Sequence, residues 1–140
     1  MKAIARRIKP DAYTHTVEVR QHTVTADEPR EDGGDDQGPT PQELLAVSLA
    51  SCTAITIDMY ARRKGWDVGL AEVQCSYEEP AHRGEPTHFE LVIRLPASLD
   101  DEQRERLRVI AGKCPVHRTL AGAVTFSDRV EALDPDQSAS

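Results

Sequence analysis

The sequence predicts an α+β domain. Loosely alternating segments near the N-terminus read as strands, one long apolar segment opens on a helix-capping signal, and a second alternating pair is followed by shorter helical segments. At 140 residues the chain has the length of one domain, with a core that removes about two thirds of the unfolded surface from water. Residues 1–132 read as that domain and 133–140 as a polar tail.

Taken in order, Lys2 to Ile8 and Tyr13 to Thr25 alternate between apolar or β-branched and polar residues, which predicts two or three strands. Asp27 to Pro39 gathers Gly, Pro and acidic residues into what reads as a mobile surface loop. Thr40, Pro41 and Glu43 then form a capping-box pattern, with Pro in the first turn. The helix they open runs about six turns, to Arg62, Arg63, Lys64 and Gly65, where cations meet the negative dipole end and Gly suits the left-handed cap. Its sides are almost all apolar or small, which predicts a buried central helix. Ser48, Ser51, Thr53, Thr56 and Asp58 interrupt the run and argue against a membrane span.

Asp67 to Glu79 and Pro86 to Leu95 alternate as a hairpin, with Val73, Cys75 and Tyr77 on one face of the first strand and Phe89, Leu91 and Ile93 on one face of the second. A second helix is expected with Ser98 as N-cap and Asp101 at the capping-box position, its apolar side marked by Leu99, Gln103, Leu107, Ile110 and Cys114. Cys114-Pro115 stops that helix and begins another, with Cys114 as N-cap and Pro115 at the first position. A last strand is expected from Ala123 to Val130.

Composition excludes several function classes. A formal charge of −7 lacks the dense positive field that nucleic acid or anionic lipid requires, so neither is an expected partner. MKAIARRIKP has no apolar core of a secretory signal, which points to the cytoplasm. Three cysteines in that compartment favour free thiols or a transient disulfide. No phosphate loop, CxxC or HExxH spacing is present, and the acidic loop around Asp32, Asp35 and Asp36 lacks a calcium-loop pattern, so no metal and no bound cofactor is expected.

Chemistry therefore falls to the thiols. Cys52, in mid-helix, reads on its own as a small core hydrophobe. Cys114 differs, because an N-cap sulfur faces orphan backbone N–H groups that favour the thiolate, with His117 and Arg118 one turn later. Cys75 shares a strand face with Val73 and Tyr77 and reads as structural, and Glu43 is explained by its capping box.

GPTPQELLAVSLASCTAITIDMYARRKGW, followed by LDDEQRERLRVIAGKCPVHRTL, resembles the OsmC and organic-hydroperoxide-resistance family along nearly the whole chain. The resemblance implies an α+β fold in which two intertwined subunits wrap antiparallel sheets around paired long helices, as a homodimer. It also implies a thiol peroxidase for oxidative-stress defence. Cys52 attacks an organic hydroperoxide, Cys114 resolves the sulfenic acid as a disulfide, and an external dithiol or lipoyl-type reductant restores the thiols. In the peroxidase branches an arginine from an early strand pairs with the attacking thiolate, and a glutamate after the helix-opening Pro holds it. Here that glutamate position is Gln42, with Glu43 next, and the arginine position is Val19, with Arg20 beside it on the opposite strand face. The catalytic candidates are Cys52, Cys114, Arg20 and Glu43, and the secondary ones Gln42, His117 and Arg118, with Arg20 or Arg118 favouring the thiolate. Two other readings stand beside this one: a non-catalytic thiol protein that binds a small apolar ligand or senses redox state, and a chain whose cysteines are only core residues.

Overall fold

The computed structural model describes residues 1–135; the end of the expected polar tail, residues 136–140, lies outside them. Three short strands, β1 (Ile4–Arg7), β2 (His15–Val19) and β3 (His22–Ala26), form an antiparallel sheet in the order β1-β2-β3. A 24-residue helix follows, α1 (Pro41–Lys64), then the antiparallel pair β4 (Glu72–Glu78) and β5 (His88–Arg94), and two helices, α2 (Asp101–Ala111) and α3 (Pro115–Ala121).

Local signals set the limits of α1. The Thr40 hydroxyl accepts from the Glu43 N–H at 3.1 Å while the Glu43 carboxylate accepts from the Thr40 N–H at 3.0 Å, satisfying two donors that a helix start leaves orphaned. At the other end Gly65 adopts φ 70°, and the Trp66 N–H turns back to the Ala61 carbonyl at 2.9 Å. Between these ends Leu49, Thr53, Ile57, Tyr60 and Ala61, three or four apart, make one buried stripe.

That stripe builds the core. Ile57 and Tyr60 pack with Leu99, Leu107, Ile110 and Ala111, and the partly buried Val73, Ile93 and Leu95 of the hairpin close over them. The β4–β5 register places Val73 opposite Ile93, Cys75 opposite Leu91 and Tyr77 opposite Phe89, so the two expected apolar faces merge into one.

The expectation of a helix buried all round is corrected. Leu45, Ile55 and Met59 leave 45%, 53% and 62% of their surface in solvent. With the half-buried Ser48 and Cys52 they recur at spacings of three and four, a second stripe left largely open by the described residues. By length and composition α1 also suffices to cross a membrane, but its buried stripe packs on a hairpin and a helix, which is the geometry of a core helix.

Three other expectations change. Helix α2 starts two residues later than expected, with Asp100 as N-cap and Gln103 completing the reciprocal bonds at 2.8 and 2.9 Å. A turn from Pro96 to Leu99 (3.2 Å) uses up Ser98 and buries Leu99 first, and Asp caps as well as Ser. The acidic loop is folded onto itself rather than loose. Asp27, 2% exposed, receives the Thr14 hydroxyl at 2.7 Å and the Glu28 and Gln37 N–H groups at 2.8 and 3.1 Å. Gly34 lies so close to the Glu28 carbonyl that a Cβ there would sit 1.9 Å from its oxygen. Finally, residues 123–130 form no strand. Val124, Phe126 and Val130 keep the alternation but stand 54%, 83% and 100% exposed, because no neighbouring strand among the described residues takes their backbone groups.

Candidate active site

Cys114 sits where the sequence places it, as N-cap of α3 ahead of Pro115. Its extended backbone (φ −62°, ψ 144°) directs the sulfur over the first turn, where it accepts the His117 N–H at 3.2 Å. The sulfur is fully buried and takes a second hydrogen bond, at 3.7 Å, from the hydroxyl of Thr53 on α1. Thr53 is itself fully buried, so this contact fastens α3 against the middle of the long helix.

Cys52 precedes Thr53 and is partly exposed. One residue on a helix is about 100°, so Cys52 turns away from the stripe that meets Cys114 and lies on the bare stripe with Leu45, Ile55 and Met59. The fold thus brings the Cys52 turn of α1 against the Cys114 cap. It seals one sulfur and leaves the other within reach of solvent.

The remaining candidates are placed around this contact. Glu43 is engaged in the α1 capping box. The Gln42 amide turns away from that box and donates to the Glu79 carboxylate at 2.8 Å, while the Tyr77 hydroxyl donates to the Gln42 carbonyl, tying the helix start to the end of β4. Arg20 occupies no strand face. It forms the exposed tip of the β2–β3 hairpin at φ 55°, a left-handed conformation unusual for a residue with a Cβ. Arg118 is also exposed, and the His117 side chain faces a cleft. Neither guanidinium has a side-chain hydrogen bond or ion pair among the described residues. Cys75 is half-buried opposite Leu91, and burial pushes its thiol up, away from the reactive thiolate.

The cleft, about 680 Å³, lies between the α1 start, the hairpin and α3. Leu45, Leu49, Phe89, Leu91 and Leu120 make its apolar wall, and Tyr77, Glu79 and His117 are the charged or titratable side chains that line it. Neither Cys52 nor Cys114 lines it, though His117 and Leu49 each lie within a turn of the Thr53–Cys114 contact. Sequence reasoning missed Thr53, Glu79 and the cleft. For Thr53 a signal existed in its four-residue spacing from Leu49 and Ile57; for Glu79, 37 residues from Gln42, none did.

A family model described as OsmC-like protein matches residues 33–127. Among solved structures, an OsmC-like protein from Mycoplasma pneumoniae shares 20% identity over 86% of each chain, with a TM-score of 0.72. The organic hydroperoxide resistance protein OsmC from Legionella pneumophila shares 19% identity, covering 86% of this chain and 88% of its own, with a TM-score of 0.64. The organic hydroperoxide resistance protein OhrB of Bacillus subtilis shares 22%, covering 86% and 90%, with a TM-score of 0.61. No curated protein matches the chain. At these identities the structural likenesses carry the fold, and the match over residues 33–127 carries the family.

Proposed function

The chain belongs to the OsmC-like family, and on that premise we propose that it is a thiol peroxidase that reduces organic hydroperoxides, with Cys52 as nucleophile and Cys114 as resolving thiol. The observation that carries the assignment of roles is the asymmetry of exposure. Within the single chain Cys52 is partly exposed and open to a hydroperoxide, whereas the Cys114 sulfur is sealed and touched by the neighbouring turn of α1 through Thr53. Structural relatives named for hydroperoxide resistance support the same reading.

In the first step the Cys52 thiolate attacks the outer oxygen of the hydroperoxide. An S–O bond forms, the O–O bond breaks, and the alkoxide takes up a proton and leaves as the alcohol. The Cys114 thiolate then attacks the sulfenic sulfur, forming the disulfide and releasing hydroxide, which is protonated to water. An external dithiol of the lipoyl type exchanges with that disulfide, is itself oxidised and restores both thiols. By the family resemblance we assign Arg20 or Arg118, both without a side-chain partner among the described residues, to the Cys52 thiolate. Three free cysteines fit a reducing, cytoplasmic setting.

We further propose that the working unit is a homodimer. The uncovered α1 stripe and the unpaired alternating residues 123–130 are two apolar surfaces of one chain, and a second copy covers both.

A peroxidase assay coupled to a lipoyl dithiol tests the reading. Wild type turns over an organic hydroperoxide and Cys52→Ser does not; turnover that survives Cys52→Ser overturns the assignment. A second reading, a binding protein for a small apolar ligand, is favoured by one observation, that no thiol lines the cleft. It predicts saturable binding without turnover.

A further inference from the structure

The cleft beside the Cys114 cap is apolar except at its rim. There the exposed Glu79 carboxylate accepts the Gln42 amide at 2.8 Å, which tethers the charge to the start of α1. Next to the cleft runs an open groove of about 1130 Å³ that shares Gln42, Tyr77, Glu79 and Pro86 with it. That groove adds Glu28, Asp32, Glu43, Glu78 and Glu90 to its lining. Neither cavity is lined by Lys or Arg; His117 and His88 are the basic side chains present. Tyr77, between the two, registers this field, since burial first and then the Glu79, Cys75 and Glu43 charges push its phenol above the usual range. A cavity lined by one sign of charge focuses its potential and repels ligands of that sign, and a carboxylate brought here would lose water without gaining a cation.

We infer that Glu79, positioned by Gln42, is a specificity-determining residue that makes the cleft accept uncharged apolar hydroperoxides and reject those carrying a carboxylate. The inference rests on the peroxidase reading and takes the cleft, which neither thiol lines but which His117 and Leu49 bring beside the Thr53–Cys114 contact, as the place where the body of the substrate sits. Glu79 acts on the head group of the ligand and takes no part in breaking the O–O bond.

The test compares a fatty-acid hydroperoxide with its methyl ester, below their micelle concentrations, at low salt and pH 8, in wild type and Glu79→Gln. A like charge beside the head group in an open, partly solvated mouth corresponds to a preference of a few-fold, up to roughly tenfold. Wild type therefore favours the ester in kcat/KM by about that factor, and Glu79→Gln narrows the ratio mainly through KM for the acid. Equal use of acid and ester by wild type, or a ratio unmoved in Glu79→Gln, overturns the inference. Calorimetric binding of the matching hydroxy acid and its methyl ester is measured in parallel. If neither hydroperoxide is turned over, the peroxidase reading fails separately, and the two binding constants still decide whether Glu79 selects against the carboxylate.

Discussion

Replacing Ile55 by Asp places a charge on the bare stripe of α1 and tests whether that stripe is a subunit contact. Leu45, Ile55 and Met59 each leave about half of their surface in solvent. Burying such a side chain completely is worth about 1.5–3 kcal/mol, so covering the exposed half contributes about 0.8–1.5 kcal/mol each. A two-fold axis doubles the set, giving about 5–9 kcal/mol from this seam before the losses of association. Ile55→Asp removes these contacts from each copy and puts a carboxylate from each into the apolar seam. Because Ile55 makes no part of the single-chain core, the variant keeps its fold. Sedimentation velocity over micromolar concentrations, with circular dichroism to verify the fold, is the assay. Wild type sediments as a dimer and Ile55→Asp as a folded monomer. A monomeric wild type at high micromolar concentration, or a variant that dimerises as tightly as wild type, refutes the reasoning.

Other perturbations have equally definite outcomes. Leu107 is fully buried in the core between α1 and α2, so Leu107→Ala lowers the unfolding free energy by about 2–5 kcal/mol in urea titration. The Asp27 carboxyl is held below its ordinary value by the Thr14 hydroxyl and by backbone N–H groups, against the opposing effect of burial. Its folded pKa being depressed, its contribution is present above about pH 4 and is lost as pH falls through the lower folded value; acid melting of Asp27→Asn is accordingly shallower than that of wild type. The Tyr60 phenol accepts the Arg106 guanidinium at 2.9 Å, which holds its pKa below the usual range, assisted by the Arg106, Lys64 and Arg63 charges against burial. Ultraviolet titration therefore finds a tyrosine ionising early, and Arg106→Met moves it upward.

Elements governed by neighbouring residues were legible in the sequence. Thr40, Pro41 and Glu43 announce α1, Gly65 ends it, and Cys114-Pro115 opens α3, because caps are satisfied within a few residues of the chain. The hairpin register also follows from alternation, since Val73, Cys75 and Tyr77 must share a face with Phe89, Leu91 and Ile93. What depended on distant partners was not legible. The folded state of the acidic loop comes from Thr14, 13 residues from Asp27. The tie between Gln42 and Glu79 spans 37 residues and that between Thr53 and Cys114 spans 61. Residues 123–130 have the pattern of a strand but no strand beside them among the described residues, so pattern alone placed an element that requires a neighbour. The N-cap of α2 was misplaced because Ser98, Asp100 and Asp101 all resemble caps, and the burial of Leu99 decides between them.

The most direct test of the account is a mass-spectrometric map of the disulfide formed when fully reduced protein receives one equivalent of an organic hydroperoxide. The account predicts a Cys52–Cys114 bridge within each chain, with Cys75 remaining a free thiol and Cys52 trapped as sulfenic acid in Cys114→Ser. Persistence of all three free thiols, or a bridge through Cys75, contradicts it.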